Sequence, residues 1–157
     1  MSLLCNGSDS DAFIAKKLKA ERVKHWLMKS EPNVYAWNDL VRDKCTHWDH
    51  IRNHAAARNL KAMAVGDTAF FYHSNEGLAC VGIMRIVRTA YPDPSDESGR
   101  FVMVDVEPFA PLPNPVTLKA IKAEPRLAGM ELIRQSRLSV APVRDVEWAV
   151  ILEMARC

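Results

Sequence analysis

The sequence has no apolar run near the ~20 residues that a membrane-crossing helix needs. Residues 1–24 also lack the continuous apolar segment and cleavage pattern of a secretory signal. These absences lead us to expect an intracellular protein, cytoplasmic or nuclear. There are only four cysteines, Cys5, Cys45, Cys80 and Cys157, and no Cys-x-x-Cys pair. Neither a zinc clip nor a disulfide framework is therefore indicated. No repeat or low-complexity segment is present, and there is almost no charge excess. The formal net charge is +2, and residues 1–24 carry all of it, with five basic residues against three acidic ones; residues 25–157 are balanced, 16 against 16. Proteins that grip duplexes non-specifically neutralise many phosphates. A neutral domain argues against that mode and leaves room for a small basic rim around a pocket.

The 157 residues, 48% hydrophobic and 25% charged, suit one globular domain with a real core. The stretch His25-Trp26-Leu27-Met28-Lys29-Ser30-Glu31-Pro32 organises it. Trp26, Leu27 and Met28 favour a strand, and Pro32 removes a backbone donor and holds Glu31 extended, so the strand stops there. Lys29, Ser30 and Glu31 fall at a strand exit, where side chains are fixed by a sheet yet face open space.

The rest of the chain predicts short elements. Residues 9–24 read as a weakly amphipathic basic helix outside the main domain. A helix is expected over 33–42, with Asn33 as cap and Tyr35 and Trp37 packing, and a second over 53–63, where alanines are frequent. Residues 64–67 read as a turn containing Gly66 and Asp67. Strands over 68–73 and 79–87 form a hairpin with Ser74 and Asn75 at its tip. Residues 92–99 make a polar loop. A strand over 101–107 places Met103, Asp105 and Glu107 on one face and Val102, Val104 and Val106 on the other; the prolines from Pro108 to Pro115 are expected to break it. A short helix capped by Thr117, another over 130–135, a strand over 136–143 and a helix over 144–154 burying Val146, Trp148, Val150 and Ile151 complete the reading. Short strands joined by hairpins and interrupted by short helices indicate an α+β fold with a curved, barrel-like sheet, leaving room for one small ligand at its mouth.

Enzymatic alternatives have weak support. His47, His50 and His54 stand three and four residues apart, a spacing at which imidazoles on a helix share a metal, with Asp49 or Glu31 as a base for hydrolysis. No HExxH frame accompanies them. Ser30 or Ser74 beside His73 lacks the Gly-x-Ser-x-Gly elbow of a serine nucleophile.

Five ordered motifs carry a resemblance: Trp-Leu-Met-Lys-Ser-Glu-Pro at 26–32, Trp-Asp-x-Ile-Arg-Asn at 48–53, Val-Gly-Asp at 65–67, Phe-Tyr-His-Ser-Asn at 71–75 and Arg-Leu-Ser-Val at 137–140. Together they resemble an EVE domain, and the thymocyte nuclear protein family is similar. The resemblance spans residues 25–157 and leaves 1–24 as an N-terminal extension. It implies a PUA-like pseudobarrel with a mixed or antiparallel β-sheet flanked by short helices. It further implies a non-catalytic, monomeric reader, needing no cofactor or metal, of nucleic acid carrying a modified base, with modified cytosine in DNA foremost. An RNA-binding PUA-like module is the alternative.

A base drawn from its stack needs an aromatic face, worth ~1–3 kcal/mol per base, and fixed donors and acceptors for its edge. By resemblance, Trp26 and Trp48 supply apolar or stacking walls. Lys29 and Ser30 present backbone and hydroxyl groups, and Glu31 orders the pocket or accepts an exocyclic amine. Asn53, Ser74 and Asn75 meet the base edge, and Tyr72, Leu138 and Ser139 complete the pocket. Arg52, His73 and Arg137 form a rim for phosphate. The chain departs from the family pattern in two places: His54 stands where a tyrosine is typical and Ala57 where an arginine is typical, and the loop 92–99 is short.

Overall fold

The computed structural model describes residues 23–156. The helix expected over 9–24, and with it the N-terminal extension, lies outside them except for Val23 and Lys24, which are not helical. The strands are β1 (His25–Ser30), β2 (Thr46–Trp48), β3 (Thr68–His73), β4 (Ala79–Pro92), β5 (Val102–Thr117) and β6 (Val140–Val143). The helices are α1 (Trp37–Asp43), α2 (His54–Ala62), α3 (Leu118–Ala123), α4 (Glu131–Arg134) and α5 (Asp145–Ala155), with a 3-10 turn at Pro125–Leu127.

The strands form one six-stranded mixed sheet in the order β2-β5-β4-β3-β1-β6. β1 runs parallel to β3, with Leu27 opposite Phe70 and Ser30 opposite His73, and antiparallel to β6. Lying between two partners, β1 is buried on both faces, which explains its unbroken apolar run. Alternation then divides two cores. Trp26, Met28 and Phe71 pack with Trp37, Leu40, Trp48 and Leu60 on the face covered by α1 and α2. Leu27, Phe70 and Tyr72 pack on the other face with Ile121, Leu127, Trp148 and Ile151. Leu27, Phe70 and Phe71 are fully buried, each contributing about 1.5–3 kcal/mol.

Trp37 fixes how closely α1 can approach the sheet. Its ring lies over Gly82 of β4, where an added Cβ would sit 2.5 Å from the indole, and it meets Phe71 edge-on at 5.6 Å. Glycine inside a strand commonly marks such a close approach. On the opposite face Trp148 is stacked between His25 at 4.2 Å and Phe70 at 3.9 Å.

Several expectations are corrected. β5 does not stop at Pro108 but runs through Pro108, Pro111, Pro113 and Pro115 to Thr117. β2 covers β5 only from Val104 to Val106, so among the described residues the later ones form a sheet edge, where a proline's missing N–H costs no ladder bond. Slips in the β4–β5 register absorb the remaining mismatch. The helix expected over 33–42 begins at Trp37, with the Ala36 N–H donated to Asp39; the residues before it form a turn whose backbone N–H groups at Val34 and Tyr35 both donate to the Glu31 carbonyl. The strand expected from Ser136 starts at Val140. In α5 Val146 is exposed, while Glu147 is buried and bonded to Arg144.

Candidate functional site

A cavity of about 760 Å³ opens where β1 ends, within the usual range for ligand pockets. Its walls come from parts of the chain far apart in sequence. Lys29, Ser30 and Glu31 leave β1; Ser74 follows β3; Thr46, His47 and Trp48 belong to β2, and Asp49 to Ile51 follow it; Ser136, Arg137 and Ser139 precede β6. β2 and β6 are the outermost strands of the sheet. For both ends of the sheet to flank one cavity, the sheet must curl round on itself.

Backbone pairing fixes the strand-exit wall. Ser74 N–H donates to the Ser30 carbonyl at 2.9 Å, and Lys29 N–H to the Ser139 carbonyl at 2.9 Å. The Lys29 ammonium donates to the Ser136 carbonyl at 2.8 Å, and burial lowers its pKa from the ordinary lysine value. The Ser30 hydroxyl donates to the Tyr35 carbonyl at 2.5 Å, so it holds the 31–35 turn in place. Arg137 is exposed, and its guanidinium has no partner among the described residues.

The facing wall is held by Asp93. This buried carboxylate accepts the His50 N–H at 2.8 Å, Arg52 Nη1 at 3.2 Å, and both the N–H and hydroxyl of Ser95. Desolvation opposes its ionisation, but the donors from Ser95, His50 and Arg52 outweigh that and hold the carboxyl well below the usual range. His50 itself has a φ of 61°, a left-handed conformation that costs energy for a non-glycine residue. Trp48 fills the floor of this wall, edge-on to Phe71 at 5.4 Å. Next to it the His47 Nδ1 meets Asp105 at 2.8 Å, and the Tyr91 hydroxyl donates to the same oxygen at 2.5 Å. Burial, the hydrogen bond to Asp105 and its negative charge push the Tyr91 phenol up to about 12.

Of the residues expected in the pocket, Lys29, Ser30, Glu31, Trp48, Ser74 and Ser139 line this cavity, as does Arg137 from the expected rim. The others are placed elsewhere, each for a physical reason. Trp26 is a core residue whose Nε1 donates to the buried Asp67 at 3.0 Å. Asp67 is more than a turn residue, since it also accepts the N–H groups of Ala64 and Lys24. Asn53 caps α2, its side chain accepting the Ala56 N–H at 2.9 Å. Tyr72 points into the opposite core, and Leu138 is buried beside Trp26 and Met28. Asn75 sits exposed at the hairpin tip with a φ of 71°. Arg52 is paired with Asp93, and its guanidinium lies over the Phe101 ring at 5.5 Å. His73 accepts the Trp37 N–H at 3.2 Å.

Sequence reasoning missed Tyr35, Thr46 and His47 as lining residues. The turn before α1 and the short β2 give no periodic signal by which to place them. The histidines do not converge on a metal: His47 is bound to Asp105, His50 to Asp49 at 2.9 Å, and His54 lies against Phe101. Among the described residues no group of three ligating side chains is poised for an ion, and no helix is long and apolar enough to cross a membrane.

A curled mixed sheet with short covering helices and a cavity at its open end defines the PUA-like class of pseudobarrel domains. Within that class the chain belongs to the EVE domain family, whose model matches residues 24–154. It is 32% identical over 166 residues to human thymocyte nuclear protein 1, a match covering 83% of this chain and 73% of the relative. A protein of Rhodopseudomonas palustris solved by NMR is 51% identical with a TM-score of 0.82, covering 85% of this chain and 94% of its own. The crystal structure of human THYN1 protein in complex with 5-methylcytosine-containing DNA is 31% identical with a TM-score of 0.81, covering 85% of this chain and 98% of its own.

Proposed function

We propose that this protein is a non-catalytic reader of DNA that takes a modified base, a modified cytosine foremost, into the cavity at the end of β1. One observation carries the reading. Lys29, Ser30, Trp48 and Arg137 converge on a single cavity in a chain that is 31% identical to, and shares the fold of, a human protein crystallised with 5-methylcytosine-containing DNA. In this reading the base leaves its stack and lies against Trp48 and Tyr35. Ser74 and Ser139 bond its edge. Arg137 and the Lys29 ammonium contact the flanking phosphate, which fits a domain whose basic charge is local rather than spread over a face. The reading unit is residues 25–157, with 1–24 as an appended segment; the family match over 24–154 supports that division. Commitment of the Ser30 hydroxyl to a backbone carbonyl, rather than to a histidine, supports binding without covalent chemistry.

The test is fluorescence anisotropy with matched DNA and RNA oligonucleotides carrying cytosine, 5-methylcytosine or 5-hydroxymethylcytosine. Wild type, Trp48→Ala and the exposed Arg137→Ala are compared. Modification-dependent binding to DNA, abolished by Trp48→Ala, is expected. Arg137→Ala should weaken all DNA ligands alike and reduce the salt slope by about 1. Equal, weak binding of every oligonucleotide, unmoved by either substitution, overturns the reading.

A further inference from the structure

His47 stands out among the cavity residues because two neighbours fix its proton. An ionised carboxylate only accepts, and the Tyr91 hydroxyl already donates to Asp105 Oδ1. The short contact between His47 Nδ1 and that same oxygen therefore puts the imidazole proton on Nδ1. In the neutral ring Nε2 is left with a lone pair, and it has no partner among the described residues. Asp105 projects from β5 and Tyr91 from β4, with the Arg88 guanidinium stacked 3.5 Å from the centre of the Tyr91 ring, so sheet residues hold the imidazole's orientation. On the same wall Arg52 is paired with Asp93, and His50 Nδ1 meets Asp49, but Asp49 is 41% exposed against 14% for Asp105 and, among the described residues, carries no tyrosine, so His47 is the more firmly held imidazole. Across the cavity the β1 and β6 side presents the cations Lys29 and Arg137.

We propose that His47 Nε2, positioned by Asp105 and Tyr91, is the acceptor that selects a base bearing an exocyclic amine. The inference rests on the base-reading function proposed above and adds the chemical edge being read. Cytosine offers an amine donor at its position 4, whereas thymine offers a carbonyl there and carries the same 5-methyl group as 5-methylcytosine. A carbonyl facing Nε2 would set lone pair against lone pair and leave both groups without a donor. Glu31 is the competing acceptor, with a carboxylate that also lacks a partner. It is exposed and free to turn, so it costs more to order than a ring already held through Nδ1 by Asp105.

The test uses DNA duplexes with one central 5-methylcytosine or thymine, each opposite an abasic site so that neither base is paired. The readout is the ratio of the two dissociation constants, which a general loss of stability leaves unchanged. Wild type should favour 5-methylcytosine. His47→Ala should cut the ratio about tenfold, His47→Lys, which places a donor there, should push it below one, and Tyr91→Phe should lower it partway. A ratio unchanged in His47→Ala overturns the assignment while leaving the reader standing, as does a ratio that collapses in Glu31→Gln instead. If wild type binds both duplexes no better than one lacking the central base, the base-reading function itself fails and takes this inference with it.

Discussion

The carboxylate of Asp93 and the backbone of His50 meet at 2.8 Å across 43 residues of sequence, and this contact holds a wall of the cavity in a left-handed conformation. Asp93 is 2% exposed, so the bond is shielded from competing water. Replacing it with asparagine removes the charge that answers Arg52 and should cost about 2–4 kcal/mol at neutral pH, measured by urea denaturation. Because the folded pKa is depressed, the contribution is complete above the unfolded carboxyl value of ~3.9 and is lost as pH falls below it. The gap between wild type and variant should therefore narrow below about pH 4.

Trp26 illustrates how a motif residue can serve the frame instead of the site. Its ring is buried and its Nε1 bonds the buried Asp67. Trp26→Phe should leave Asp67 short of a donor and lower stability by about 1–3 kcal/mol. Discrimination between modified and unmodified cytosine, measured by anisotropy at a temperature where both proteins are folded, should not change. A selective loss of discrimination would return Trp26 to the pocket wall.

Gly82 and Trp37 make a tighter test of packing. A methyl group at Gly82 would overlap the indole, so Gly82→Ala must displace α1 or distort β4, at a cost of about 1–3 kcal/mol. The double variant Gly82→Ala, Trp37→Leu should recover part of that loss in thermal denaturation, because the smaller side chain leaves room for the methyl.

His73 links stability to pH. Burial lowers its pKa, and the neutral ring accepts the N–H that opens α1; burial likewise lowers the pKa of His25, against the raising influence of Asp145 and Asp67. A histidine depressed in the folded state binds its proton more readily when unfolded. Stability should thus be full above ~6.5 and fall as pH drops from there towards the folded values. His73→Gln should flatten that dependence between pH 7 and pH 5, followed by denaturation midpoints.

The sequence by itself determined the local elements and the family. The apolar run that ends at Pro32 gave β1, the hairpin spacing gave β3 and β4, the alanine-rich run after Asn53 gave α2, Thr117 marked the start of α3, and five ordered motifs placed the chain among EVE domains. These signals are short-range, written in periodicity, capping and turn chemistry. Only the tertiary structure decided which motif residues face the cavity. Trp26, Lys29 and Ser30 are neighbours in one motif, yet Trp26, near the start of β1, is buried in the core, while Lys29 and Ser30, at the strand's end, reach the opening. His47 and Arg137 are 90 residues apart and line one space because the curl of the sheet brings its two outermost strands together. The prolines of β5 are tolerated because, among the described residues, nothing pairs with that edge. Each of these outcomes depends on what lies across the sheet, and a side chain's neighbours across a sheet are set by strand order and twist, which no local stretch of sequence encodes.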